Sequence, residues 1–201
     1  MIRTIRSVLA LPQAYQLFWN VIGGPARSRT LVKEFIRPKA GDRILEIGCG
    51  PGTIVPYLPE SEYVGFDASA DYIEQARHRF PQARFVCERV SEYTLPERSY
   101  FDSVLALGIL HHLDDVESQQ LFKIAHEALK PGGKLVTLDG VWTNSQSAAA
   151  KALLARDRGE FVRSEQGYVK IASEVFDNVK ATVRDNMLRI PYTHIILECI
   201  R

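Results

Sequence analysis

The sequence predicts an α/β sandwich, a mostly parallel sheet with helices packed on both faces. Three observations carry that reading. Short apolar runs alternate with helix-patterned segments from about residue 42 to the end of the chain. The run Arg43-Ile44-Leu45-Glu46-Ile47-Gly48-Cys49-Gly50-Pro51-Gly52 reads as a strand that stops abruptly in a glycine turn. A second run, Tyr63-Val64-Gly65-Phe66-Asp67, ends on an acid 19 positions after Gly48. A glycine turn between strand and helix is where an α/β sheet holds a nucleotide-like ligand. An acid at the next strand end offers two acceptors to a ribose diol. That geometry serves any adenosine ligand. The dinucleotide fingerprint, however, needs its third glycine at position 53, where the chain has Thr53; its third glycine is Gly52.

Composition sets the frame. A chain of 201 residues, 46% hydrophobic, holds one domain with a substantial core and is short for two. The 25 Lys and Arg nearly balance 24 Asp and Glu, so total charge demands neither a nucleic acid nor an acidic membrane. Cys49, Cys87 and Cys199 are odd in number and widely spaced, which argues against a disulfide framework and against a zinc site, and for a reducing, cytoplasmic setting. The apolar stretch from Ile5 to Ile22 is interrupted by Pro12, Gln13, Gln16 and Asn20. It makes a poor signal peptide and a worse membrane span.

The elements follow in order. Tyr15, Phe18 and Trp19 give an aromatic helical face that Gly23, Gly24 and Pro25 break, and Thr30 to Ile36 offers a second helix. The first strand spans 42–47, and a short helix over Thr53 to Leu58 is expected after it, with Pro56 in its first turn and Pro59 at its end. Amides at that helix start would favour a negative group. The second strand is Tyr63–Asp67. Ser69 is the N-cap of a helix to about Phe80, on which Glu74, Arg77, His78 and Arg79 read as solvated. Ala83–Cys87 is the third strand, with Cys87 expected to pack as an apolar residue. Tyr100–Ala106 is the fourth. A helix over Asp115 to Leu129 stops at Pro131-Gly132-Gly133, ahead of a fifth strand over Lys134–Asp139. Helices over Ser147–Arg156 and 171–177, a sixth strand over Asn178–Arg184 and a last over Thr193–Cys199 complete the chain.

Leu45-Glu46-Ile47-Gly48-Cys49-Gly50-Pro51-Gly52 resembles the first motif of the class I S-adenosylmethionine-dependent methyltransferases. Leu107-Gly108-Ile109-Leu110-His111-His112-Leu113 and the Leu-Lys-Pro-Gly-Gly-Lys-Leu run ahead of the fifth strand resemble later stretches of that family. The resemblance covers about residues 40–139. It implies a Rossmann-like, seven-stranded sheet whose last strand enters antiparallel between the fifth and sixth. It also implies S-adenosylmethionine (SAM) as cofactor and transfer of its methyl group to an oxygen, nitrogen or carbon acceptor.

The same resemblance assigns site residues. Gly48, Cys49 and Gly50 form the turn, with Glu46 assisting it or the ligand's amino group. Asp67 and Ala68 meet the ribose, Tyr72 packs on the adenine, and Glu88 or the backbone at Arg89 meets the adenine amine. Leu107, Gly108 and His112 line the methyl, and Tyr15 caps the pocket. Cys87 and Arg89 depart from the family's usual small residues. His112 is the candidate general base, near neutrality in its unperturbed pKa; the other histidine fixes the loop. Asp139 ends the fifth strand on the same rim, within reach of a substrate.

The expected organisation is an N-terminal helical cap over 1–37 and a methyltransferase domain over 38–201, with 141–170 a candidate substrate lid. There, Arg156, Arg158 and Arg163 offer an anion site, unless Asp157 and Glu160 neutralise them locally. Tyr192 and His194 reach the pocket or pack at the core edge. No Asn-Pro-Pro-Tyr-like stretch follows the fourth strand and no basic-aromatic tract is present, so a small-molecule acceptor is the default. A non-catalytic SAM-fold subunit supporting a partner, or an NAD-type oxidoreductase, are the rival readings.

Overall fold

The computed structural model describes residues 20–157 and 159–201. Tyr15, Phe18, Trp19 and Arg158 lie outside them, and with them the expected aromatic cap. Seven strands form one sheet in the order β3-β2-β1-β4-β5-β7-β6. They are β1 (Arg43–Ile47), β2 (Glu62–Asp67), β3 (Arg84–Cys87), β4 (Phe101–Leu107), β5 (Leu129–Gly140), β6 (Asn178–Arg184) and β7 (His194–Ile200). Neighbours from β3 to β5 pair in parallel, and β7 runs antiparallel to both β5 and β6. The final strand therefore inserts where the resemblance implied.

Alternation along the strands builds two cores. Leu45, Ile47, Phe66, Val104, Leu135 and Leu197 face α3 (Asp115–Ala128) and α5 (Glu165–Ser173), meeting Leu121, Phe122, Tyr168 and Ile171. Ile44, Tyr63, Phe85, Leu105, Val136 and Ile196 face the other way, towards α1 (Gly24–Leu31) and α2 (Ala70–Arg79), meeting Leu31, Ile73 and Ala76. Strands buried on both faces explain why β1 and β4 read as continuous apolar runs rather than alternating ones. α4 (Ala148–Leu154) lies beyond β5.

Several boundaries differ from expectation. No α-helix follows β1: residues 51–57 are turns ending in one 3-10 turn, Val55–Tyr57. Pro51 and Pro56 remove two amides and Gly52 sits at φ +71°, so helical bonding cannot propagate. The helix-start amides expected to favour a negative group are therefore not there. α1 begins at Gly24 rather than Thr30, because Pro25 falls in its first turn, where no amide is missed, and it runs on into a π turn over Val32–Ile36. α5 begins at Glu165 rather than 171, capped by the Ser164 hydroxyl, which accepts the Gly167 amide. Among the described residues no helix is long and apolar enough to cross a membrane.

Candidate functional site

β1 is the switch point of the sheet. The chain steps outward from it to β2 and β3, then crosses to β4 on its other side. The carboxyl ends of these strands border the crevice position where such sheets usually hold a ligand. The turn after β1 forms its floor. The Gly48 and Cys49 amides both donate to the Phe66 carbonyl, at 2.8 and 3.0 Å, which folds the turn back over β2. Gly48 stands at φ +70°, and a Cβ there would come within 2.4 Å of Ile109 Cδ1. Gly50, at φ +51°, faces open space instead: no atom lies within 4 Å of an added Cβ. The first glycine is required by packing, and the second leaves the crevice clear.

Asp67 joins the parts. Its Oδ2 accepts the Gly50 amide at 2.9 Å and its Oδ1 accepts the Ser69 amide at 2.8 Å, tying the turn to the start of α2. A carboxylate oxygen has room for a second donor, so these bonds leave acceptor capacity towards the crevice. The Ser69 hydroxyl accepts the Tyr72 amide as the N-cap of α2, and Tyr72 is exposed near the same rim. Ala68 is exposed beside it, and the Glu88 amide donates to the Asp67 carbonyl at 3.0 Å. Arg89 is exposed. Cys87 is exposed as well, not packed as expected, because β3 is the sheet edge. Arg79 is less idle than its solvated reading implied: it donates to the Pro51 carbonyl at 2.8 Å and braces the glycine turn. Arg77 likewise holds the Phe85 carbonyl, at 2.7 Å.

Glu46 lies beneath the turn, buried, and accepts the Tyr63 hydroxyl. Burial pushes its carboxyl up to about 8; the Tyr63 bond pulls the other way, and the nearby Asp67 charge adds to the rise. Glu46 is therefore protonated at neutral pH and acts through Tyr63 rather than as an open anion. Tyr63 was not expected here. The signal was present in the sequence: Glu46 and Tyr63 sit on the same face of adjacent strands, and a buried acid needs a partner. Gly65 makes room for the turn, since a Cβ there would meet both Cβ and Sγ of Cys49 at 2.8 Å.

The opposite wall follows β4. The Gly108 amide donates to the Leu138 carbonyl at 2.7 Å, and Gly108 is exposed at φ +82° next to the half-buried Leu107. A 3-10 turn over Leu110–His112 then turns the two histidines to different environments. His112 is exposed on the rim and His111 is buried, with ring centroids 4.2 Å apart. His111 bonds to Asp139 through its ring Nδ1 (2.8 Å) and its backbone amide (3.2 Å). Asp139 is thus not a rim acid within reach of a substrate; it is buried beneath His111, and its Oδ2 has no hydrogen-bond partner among the described residues. The pair holds a proton tightly. Burial lowers the His111 pKa, but the Asp139 bond and the Asp139 and Asp157 charges outweigh it and leave it raised. Burial leaves Asp139 raised too, against the opposing pull of His111.

Gly159, Phe161 and Arg163 pack against this wall. Arg163 is consumed there, but not by Asp157 or Glu160 as expected. It pairs with Asp115 at 2.7 Å and donates to the Leu110, Leu113 and Phe161 carbonyls. Arg156, just past α4, donates to the Ala152 carbonyl of that helix. Asp157 instead accepts the Tyr192 hydroxyl. His194 is buried at the core edge, where burial, with the Arg27 and His111 charges, pushes its pKa down to about 3. Beside Tyr192 a cleft of about 380 Å³ opens, lined by Thr143, Ser145, Gln146, Asp185 and Thr193 among others.

Comparison with known proteins agrees with this arrangement. Residues 44–133 match a family model described as a methyltransferase domain. An uncharacterized methyltransferase of Synechocystis sp. is 31% identical over 120 residues, 59% of this chain and 56% of that protein. A trans-aconitate 2-methyltransferase of Afipia carboxidovorans is 35% identical over 112 residues, 54% of this chain and 42% of that one. The chain thus spans about half the length of the curated relatives it matches. Among solved structures, phosphoethanolamine N-methyltransferase 2 of Haemonchus contortus, in complex with S-adenosyl-L-methionine, superposes with a TM-score of 0.74 at 18% identity, over 98% of this chain and 59% of that one. The matched stretch is that of a methyltransferase domain, and the chain has the fold of that S-adenosyl-L-methionine-binding structure.

Proposed function

We propose that the chain binds SAM in the crevice above β1 and transfers its methyl group to a small-molecule acceptor. One observation carries this most directly: the Asp67 carboxylate is fixed to the Gly50 amide at the switch point, beside a glycine that faces open space. A carboxylate beside a clear floor supports an adenosine-type ligand there. Tyr72 is the adenine platform, with Ala68, Glu88 and Arg89 around it. Gly48, Cys49 and Gly50 pass under the amino-acid part of the ligand, with Glu46 braced below. Leu107 and Gly108 form the wall nearest the methyl. Sulfonium is already an excellent leaving group, so the protein's work is alignment and exclusion of water.

The acceptor side of the reading rests on the cleft beside Tyr192. Its named lining offers hydroxyls, an amide and the Asp185 carboxylate, with no Lys or Arg. This favours a neutral or cationic hydrogen-bonding molecule over an anion, all the more because Arg163 is already occupied. His112, exposed on the rim, is the candidate general base for an acceptor that carries its proton into the reaction. The test is to incubate the full chain with SAM and fractionated metabolite pools and to follow S-adenosylhomocysteine by mass spectrometry. Acceptor-dependent product from neutral or basic fractions supports the reading. Product from acidic fractions alone contradicts the acceptor class, and SAM binding without turnover in any pool points to a non-catalytic subunit.

A further inference from the structure

Gly140 ends β5 without a side chain, and another residue takes the space. A Cβ there would stand 2.5 Å from the Tyr192 hydroxyl oxygen and 2.6 Å from Leu154 Cδ1, so Tyr192 lies across the strand end only because position 140 is bare. The Tyr192 hydroxyl donates to the Asp157 carboxylate, and its ring packs tilted on that of His194, with centroids 4.8 Å apart. Held at its tip and against His194, the ring forms a wall of the cleft of about 380 Å³. Asp185, just past β6, lines the same cleft. It is exposed, and among the described residues its carboxylate has neither a hydrogen bond nor an ion pair. Two arginines stand close to it in sequence, and both are engaged elsewhere. Arg184 pairs with Glu34 at 3.1 Å, and Arg189 donates to the Val21 carbonyl at 3.4 Å. The Gln146 amide is consumed by backbone: it accepts the Thr143 amide at 3.0 Å and donates to the Val141 carbonyl at 2.7 Å. What the cleft offers a ligand is therefore the Tyr192 ring, the Thr143 and Ser145 hydroxyls, and one carboxylate without a counter-ion.

We propose that this cleft anchors an ammonium group carried by the acceptor, between the Tyr192 ring and the Asp185 carboxylate, and that the methylated atom lies at the far end of an extended molecule. The charge of an ammonium meets Asp185, its hydrogens meet the hydroxyls, and its desolvated side meets the ring. A phenol that donates to a carboxylate is polarised by it, and the electron density this leaves in the ring strengthens its hold on a cation. An anion would meet no Lys or Arg among the lining residues and would face Asp185. The length of the molecule follows from the sheet. The cleft lies over the ends of β5, β7 and β6, whereas Gly108 stands just past β4. Across the order β4-β5-β7-β6 that separation is roughly 10–15 Å. The anchored nitrogen is therefore not the atom that receives the methyl group. This second part rests on the function proposed above, because it takes Leu107 and Gly108 as the wall nearest the methyl; the anchor itself stands without it.

NMR titration of the isotope-labelled full chain with butylammonium chloride, at constant ionic strength, tests the anchor. Butanol is the neutral probe of the same shape, and butyrate the anionic one. Butylammonium should shift the Thr143, Gln146 and Thr193 amides saturably, at least about fivefold more tightly than either control. Asp185→Asn should weaken that binding about fivefold, and Tyr192→Leu by a similar factor. Should Tyr192→Leu fail to fold, the exposed Asp185 still supplies the deciding variant. Equal binding of butanol or butyrate, or a butylammonium affinity that Asp185→Asn leaves unchanged, overturns the anchor. S-adenosylhomocysteine and butylammonium should bind together, each changing the other's affinity by less than about twofold. Displacement of one by the other would overturn the separation of the two ends. If S-adenosylhomocysteine does not bind at all, the methyltransferase reading fails, and the butylammonium titration still decides the anchor by itself.

Discussion

The two halves of the crevice are built from different materials. Below β1 and β2 the work is done by backbone: two amides on the Phe66 carbonyl, two on Asp67, and glycines at positive φ. Beyond β4 and β5 it is done by side chains drawn from distant parts of the chain: His111, Asp139, Asp157, Tyr192 and Arg163. A backbone cradle suits a ligand of fixed shape, whereas a side-chain wall changes readily with the acceptor. The difference teaches that the cofactor half should break through geometry and the acceptor half through loss of charge and hydrogen bonds.

The largest effect expected is on the cofactor side. Asp67→Ala removes the ribose acceptor and releases the Gly50 amide, and should cost about 3 kcal/mol in SAM affinity, read by calorimetry. Unchanged affinity would sink the ribose assignment. Gly48→Ala should cost about 3 kcal/mol of folding stability in urea titrations, since its methyl meets Ile109 at 2.4 Å on a left-handed backbone. Gly50→Ala pays only the backbone term, about 1 kcal/mol, but puts its methyl in the crevice and should weaken SAM binding more than stability. If the two glycine variants behave alike, the distinction between packing and clearance is wrong.

Glu46 sharpens the comparison through pH. Its pKa is raised from 4.5 to about 8, so the unfolded chain binds fewer protons than the folded one in that window. Stability therefore falls as pH rises from 4.5 through about 8. Glu46→Gln should flatten that fall, by at most about 3 kcal/mol at pH 7, in chemical denaturation repeated across the range. On the acceptor side, Arg163→Ala strands the Leu110 and Leu113 carbonyls and frees Asp115, and should cost about 2 kcal/mol of stability. It should leave SAM affinity nearly unchanged; a parallel loss of both would mean the two halves are not separable.

Legibility in the sequence follows the same division. The glycine turn, the place of Asp67 at the end of β2, the Ser69 cap and the strand order were readable because each depends on neighbours in sequence or on a resemblance that covers them. The missing helix after β1 was misread because Pro56 was placed in a first turn, when Pro51, Gly52 and Pro56 together leave too few amides to start one. That one histidine fixes the loop was readable, and the structure gives that place to His111; its partner Asp139 was not, because it lies 28 positions away. Proximity in sequence offered Asp157 and Glu160 to Arg156, Arg158 and Arg163. Instead, Arg163 pairs with Asp115, 48 positions away, and Asp157 accepts the Tyr192 hydroxyl, 35 positions away. The start of α5 was missed because Gly167 looks like a breaker, although Ser164 supplies the cap.

The most direct test of the account is calorimetric titration of the purified full chain with SAM and, separately, with NAD. The account predicts saturable one-to-one binding of SAM, displaced by S-adenosylhomocysteine, and no heat from NAD. Binding of NAD in place of SAM, or of neither, would contradict it.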